Sequence, residues 1–193
     1  MNRREAIKRT AFLTGGAISA SILIGVLDGC QPAVSQGTDW KPEFLSKAQG
    51  DLVAEVAERI IPATNTPGAK EAGVPKFIDS MLSGYFEGDE KKVLVDGLAQ
   101  IDKDSNAAHG KSFVQLATEQ QDKLLTKYDK AAYAQNQKHG DGPPHFFSML
   151  KQLTLVGFFT SEIGATQVLK YEAVPGDYKG CIPFEEVGRT WAT

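Results

Sequence analysis

The segment His145–Lys170 constrains the fold more than any other stretch of this chain. Before Lys170 it carries only Lys151 and Glu162 as charges, while Phe146, Phe147, Leu150, Leu153, Val156, Phe158 and Phe159 fall on nearly every side of a helical projection. A helix that is apolar on most of its faces has to be surrounded, so it is expected as the longest helix and at the centre of a domain. Other helices must then supply the walls.

The sequence offers four of them. Ser46 and Gln49 stand at capping-box spacing. Behind them Leu52, Val53, Val56, Ala57, Ile60 and Ile61 repeat as one apolar stripe of a helix that Pro62 stops. A connector runs to about Val74, and Pro75 suits the first position of the next helix, where its missing N–H costs nothing. Phe77, Ile78, Met81, Leu82, Tyr85 and Phe86 repeat the stripe. Gly88 breaks it; Val93, Leu94, Leu98 and Ile101 form a third helix, after which the polar run Asp102–Gly110 is expected to loop out. Thr118 and Gln121 have capping-box spacing ahead of Leu124, Leu125, Tyr128, Ala131 and Ala132, the fourth helix. Gly140–Pro144 separates it from the apolar segment, and Tyr171–Thr193 is turn-rich. No stretch alternates in the manner of a strand. The fold class is all-α: one domain, residues 45–193, of about five helices with an irregular C-terminal arm. With 193 residues in the chain, a core needs no disulfide framework.

The N-terminus has a different character. Arg3 and Arg4 precede Thr10–Leu27, which has no charged residue. A charged region followed by an apolar one is the pattern of an export signal, and the arginine pair resembles a twin-arginine signal. Ala6-Ile7 stands where Phe-Leu is usual. An uncleaved anchor helix is the alternative, since this span is about the minimum for a bilayer core. Leu27-Asp28-Gly29-Cys30 resembles a lipobox, with Asp28 unusual in it, and makes Cys30 a candidate for lipidation. Residues 1–29 are read as the signal and 30–44 as a tether. Removing the signal takes Arg3, Arg4, Lys8 and Arg9 from 21 basic groups and Glu5 and Asp28 from 24 acidic ones, which moves the net charge from −3 to −5. The expectation is an exported, periplasmic, membrane-anchored protein. The formal charge of −3 argues against a general nucleic-acid binder, which would normally show a basic face. With Cys30 acylated, Cys181 is left over, either as a buried thiol or as half of an intermolecular bridge.

Candidate chemistry is sparse. No Gly-x-Gly-x-x-Gly, Walker loop or Cys-x-x-Cys-His occurs. His139, Asp141 and His145 could converge on a metal in one turn, but their spacing fits the common zinc sites poorly. A nucleophilic pair of Cys181 with a distant histidine stays open, but nothing local favours it and no base lies near Cys181 in sequence. Asp102/Asp104 and Glu185/Glu186 are read as solvated faces, and Ser161-Glu162 carries no weight. No catalytic, cofactor or metal residue is assigned.

Three blocks carry a resemblance. Ile60–Asp79 reads IIPATNTPGAKEAGVPKFID, Leu153–Gly164 reads LTLVGFFTSEIG, and Tyr171–Pro183 reads YEAVPGDYKGCIP. Together they resemble the gluconate 2-dehydrogenase subunit 3 family. The resemblance implies a small, helical, non-catalytic subunit that binds no cofactor itself. It implies a large flavoprotein partner of the glucose–methanol–choline type, carrying FAD and acting on sugars, sugar acids or glycosides, with haem on a possible cytochrome c subunit. It also implies that the folded pair is exported on this chain's Arg3-Arg4 signal and held at the membrane through Cys30. On that reading Cys181 is a candidate for an intersubunit disulfide, and Thr66, Pro67, Gly68, Gly73, Val74 and Pro75 are candidates for a partner-docking loop. The competing reading is a solitary exported lipoprotein acting as a binding or scaffold module.

Overall fold

A computed structural model describes residues 40–137, 143–174, 176–177 and 179–192. The signal residues Arg3 and Arg4, the lipidation candidate Cys30, and His139 and Asp141 lie outside the described residues.

Five principal helices form as the stripes require. Helix α1, Lys47–Ile60, starts at Ser46, whose hydroxyl accepts from the Gln49 amide at 3.3 Å while the Gln49 side chain accepts from the Ser46 amide at 3.0 Å. This reciprocal pair is the expected capping box. Helix α2, Val74–Gly84, begins with a proline in its first turn. Helices α3, Gly88–His109, and α4, Thr118–Asn136, follow, joined by a single 3₁₀ turn at Phe113–Gln115. Helix α5, Phe146–Phe159, is capped by His145, whose ring nitrogen Nδ1 accepts from the Phe147 amide at 3.1 Å. Helix α6 is one short turn, Phe184–Val187, in the C-terminal arm. The described residues contain no strand, and the fold is all-α.

Helix α5 packs against each of α1, α2, α3 and α4, which is the central position its composition demanded. Phe147, Leu150, Leu153 and Phe158 enter one core with Leu52, Val53 and Val56 of α1, Ile78 and Leu82 of α2, Leu94, Leu98 and Ile101 of α3, and Leu125 and Tyr128 of α4. Each fully buried aliphatic or aromatic side chain of this set contributes on the order of 2 kcal/mol before the entropy of ordering is charged.

Three local expectations are corrected. The apolar segment is not one long helix, because α5 stops at Phe159 and is followed by a wide π-type turn, Gly164–Val168. The longest helix is α3, which continues through Asp102–His109 instead of looping out. Its polar residues are satisfied along the helix: Ser105 Oγ donates to the Ile101 carbonyl at 2.9 Å and Gln100 to the Asp104 carboxylate at 2.6 Å. Gly110, at φ +67°, then ends it. Finally, Ala117 rather than Thr118 precedes α4, and only the Gln120 side chain completes the cap, accepting from the Ala117 amide at 3.1 Å. Among the described residues no helix is long and apolar enough to cross a membrane.

Candidate functional site

The loop between α1 and α2 is built around Glu58 of α1. Its carboxylate accepts from the Ala63 amide at 3.0 Å and from the Lys70 amide at 2.9 Å, so one side chain holds both limbs of the loop. Lys70 closes the arrangement with an ion pair to Glu55 at 2.6 Å. Backbone bonds add Ala69 N–H to the Ile61 carbonyl at 2.9 Å and Val74 N–H to the Ala69 carbonyl at 3.1 Å. Gly68 is buried at the centre, and a Cβ there would fall on the Glu58 carboxylate and lie 2.6 Å from the Ala63 nitrogen. Gly73 adopts φ +75°, a left-handed conformation that favours glycine, immediately before α2. Among the docking candidates, Gly68, Val74 and Pro75 are buried, Thr66 and Pro67 half-buried, and Gly73 exposed. The outer surface of the loop is instead Pro62, Ala63, Thr64 and Asn65.

Asp79 lies one turn into α2 and is 1% exposed. Its carboxylate accepts from three successive amides ahead of α1: Glu43 at 2.7 Å, Phe44 at 3.2 Å and Leu45 at 2.8 Å. The incoming chain is thus held to the domain from Glu43 onward. Nothing in the local sequence marks either Glu58 or Asp79 for these roles, because their partners lie in other elements.

The second signature block ends α5. Gly157 lets Phe77 of α2 pack against the helix, since a Cβ there would sit 2.6 Å from the ring. Ser161 Oγ donates to the Phe158 carbonyl at 2.6 Å and accepts from the Gly164 amide at 3.0 Å. Gly164 packs so closely on the Phe158 carbonyl that no side chain fits. Ser161 is therefore a helix-terminating residue.

The remaining polar groups are engaged in structure. Asp102 accepts from the Phe113 amide at 2.9 Å, and Asp104 accepts from Tyr128 at 2.8 Å, so this pair is not a merely solvated face. The Tyr128 hydroxyl holds the Asp104 carboxyl below its usual range against an opposing effect of burial, with Gln100 and Lys127 assisting. Burial, and then the Asp104 bond, push the Tyr128 phenol up. A groove between α1, α4 and α5 carries Arg59, Asp122, Asp129 and Lys151. Arg59 makes a two-point bond to Asp122 at 2.8 and 3.0 Å, and Lys151 pairs with Asp129 at 2.7 Å, so its charges are neutralised within the domain. His145 is committed to the α5 cap and stacks on Phe146, ring centroids 4.8 Å apart. Burial holds its pKa below the usual value. Among the described residues no group of histidine, cysteine and carboxylate side chains is placed to hold a metal. Cys181 is exposed and makes no disulfide among the described residues.

The third block opens the C-terminal arm, a long loop closed at its base. Lys170 N–H donates to the Thr190 carbonyl at 2.8 Å and Ala192 N–H to the Lys170 carbonyl at 2.9 Å, forming a parallel bridge between Lys170 and Trp191. The Lys170 ammonium lies 4.3 Å from the Trp191 ring centre, and Arg189 donates to the Gln167 carbonyl at 2.7 Å.

These features define a helical domain in which the signature residues build two ordered loops and open an exposed C-terminal arm. The chain belongs to the gluconate 2-dehydrogenase subunit 3 family, whose family model matches residues 47–176. Members are by that description subunits of a dehydrogenase complex, which associates this chain with other subunits. Comparison with curated proteins and with solved structures gives no match.

Proposed function

We propose that this chain is the non-catalytic small subunit of an exported FAD-dependent dehydrogenase of the glucose–methanol–choline type, acting on sugars, sugar acids or glycosides. Its tasks are to escort the catalytic subunit through twin-arginine export, to stabilise it, and to tether it to the membrane. The observation that carries this reading is family membership across the helical domain. The described residues also suit a role outside the chemistry. The sequence holds no Gly-x-Gly-x-x-Gly turn, and this reading assigns FAD to the partner.

The escort role follows from the order of events. A flavoprotein folds around its cofactor where the cofactor is made, and a twin-arginine route carries folded cargo. One signal on a tightly bound small subunit then serves both chains. Acylation at Cys30 would add about 0.8 kcal/mol per buried methylene to membrane attachment. After export, Cys181 can form a disulfide with a partner cysteine by thiol–disulfide exchange with an oxidised dithiol carrier. The carrier is reduced to its dithiol, taking up the two electrons and two protons that the pair of thiols loses.

The test replaces Arg3 and Arg4 together by lysine and assays dye-linked sugar dehydrogenase activity in periplasmic and cytoplasmic fractions. Activity should be stranded in the cytoplasm. Normal export of that activity would remove the escort role, and failure of any flavoprotein to co-purify would leave the solitary lipoprotein. A Cys30→Ser variant should shift the complex from the membrane to the soluble fraction.

A further inference from the structure

We infer that the described residues of the C-terminal arm between Tyr171 and Trp191 form the docking surface for the large flavin-bearing subunit, an inference that rests on the accessory-subunit reading above. Long irregular segments are uncommon in compact domains, where they are usually either functional, as binding loops, or linkers. This one is fastened at its base by the Lys170–Trp191 bridge and the Arg189–Gln167 bond, while none of its described residues is buried. It nevertheless carries Tyr171, Val174, Ile182, Phe184 and Trp191 as large exposed apolar side chains, with Val174 at 83% and Phe184 at 64% exposure. Half of the ten large apolar side chains exposed among the described residues therefore sit in this one segment. Aromatic and aliphatic groups held on a fixed base at little further entropic cost are what the centre of a protein–protein interface uses.

Charge selects the kind of partner. Around the apolar groups stand Glu172, Asp177, Glu185 and Glu186, against Lys179, Arg189 and, over the Trp191 ring, Lys170, which leaves the rim slightly acidic. A second copy of this chain would bring two acidic rims together, whereas a different subunit with an apolar patch and a basic rim would match both features. The arm, more than the α1–α2 loop with its buried Gly68, Val74 and Pro75, has the side chains to make such contacts.

Photo-cross-linking of the complete chain in its own host tests the assignment. A benzophenone amino acid replaces Val174 or Phe184, with Asn65 of the α1–α2 loop as a second position, and the tagged chain is purified after illumination. Cross-linking from positions 174 and 184 to a polypeptide carrying flavin is the expected result. In parallel, the exposed-site double variant Val174→Asp/Phe184→Asp should keep the helical circular dichroism of the parent and lose about tenfold or more of the co-purified flavin. The inference is overturned if flavin co-purifies but no cross-link forms from the arm, or if the cross-linked product is a dimer of this chain. If the unsubstituted chain brings down no flavoprotein at all, the accessory-subunit reading itself fails and this one falls with it.

Discussion

Glu58 and Asp79 show how far single carboxylates can organise this domain. Asp79 accepts backbone amides from a segment distant in sequence and Glu58 from the loop that follows its own helix, and each replaces secondary structure where the chain is irregular. The consequence is measurable at Gly68. A Gly68→Ala variant should lose about 1–3 kcal/mol in a denaturant unfolding experiment, because the methyl meets the Glu58 carboxylate and the Ala63 nitrogen at a site that has no slack. An Asp79→Ala variant should lose about 2–3 kcal/mol and expose the amides of Glu43–Leu45 to faster hydrogen exchange, since three bonds to one charged group disappear together. At this scale the sequence was only half legible. Gly68 could be read as a turn residue, because glycine announces backbone geometry. That Gly68 yields its space to a glutamate ten positions earlier could not be read, because no local spacing joins a helix face to a loop that folds back over it.

Helices were the most legible elements, and their ends the least. The stripes of α1 and α2 and the capping box at Ser46 determine those elements locally, so pattern and structure coincide. A Ser46→Ala change should cost about 1 kcal/mol by thermal or chemical unfolding. Helix α5 illustrates the opposite case. Its composition placed it at the centre, but its stop depends on Ser161 and Gly164 packing against the Phe158 carbonyl, which hydrophobic periodicity does not record. Its start depends on neutral His145, and this gives α5 a pH dependence. Burial holds the folded imidazole below its ordinary pKa of 6.5. The unfolded chain therefore takes up the proton first as pH falls. The contribution of this cap is complete above about pH 6.5, is lost as pH falls from there towards the folded pKa, and is constant below it. Urea midpoints measured at about pH 7.5 and about pH 5.5 should differ less in His145→Asn, which keeps a helix cap but has no group titrating in that range.

For the whole molecule, core and arm behave as separate parts of one chain. The core draws on all five principal helices, whereas the arm contributes no buried residue among those described. Deleting Tyr171–Thr193 should therefore leave the unfolding temperature of the isolated domain within about 3 °C of the parent, a change of roughly 1 kcal/mol or less. All-α architecture, a central apolar helix and an irregular arm could be read from the sequence because each follows from composition over long windows. The base that closes the arm could not, since Lys170 and Trp191 meet through one bridge with no repeating pattern behind it. The grip of Asp79 on Glu43, Phe44 and Leu45 has a mechanical meaning as well. A pull on the chain ahead of Trp40 reaches these three bonds, all held by one carboxylate, before it reaches the first turn of α1. Load applied at the N-terminal end therefore meets a buried side chain of α2 before it meets the first turn of α1.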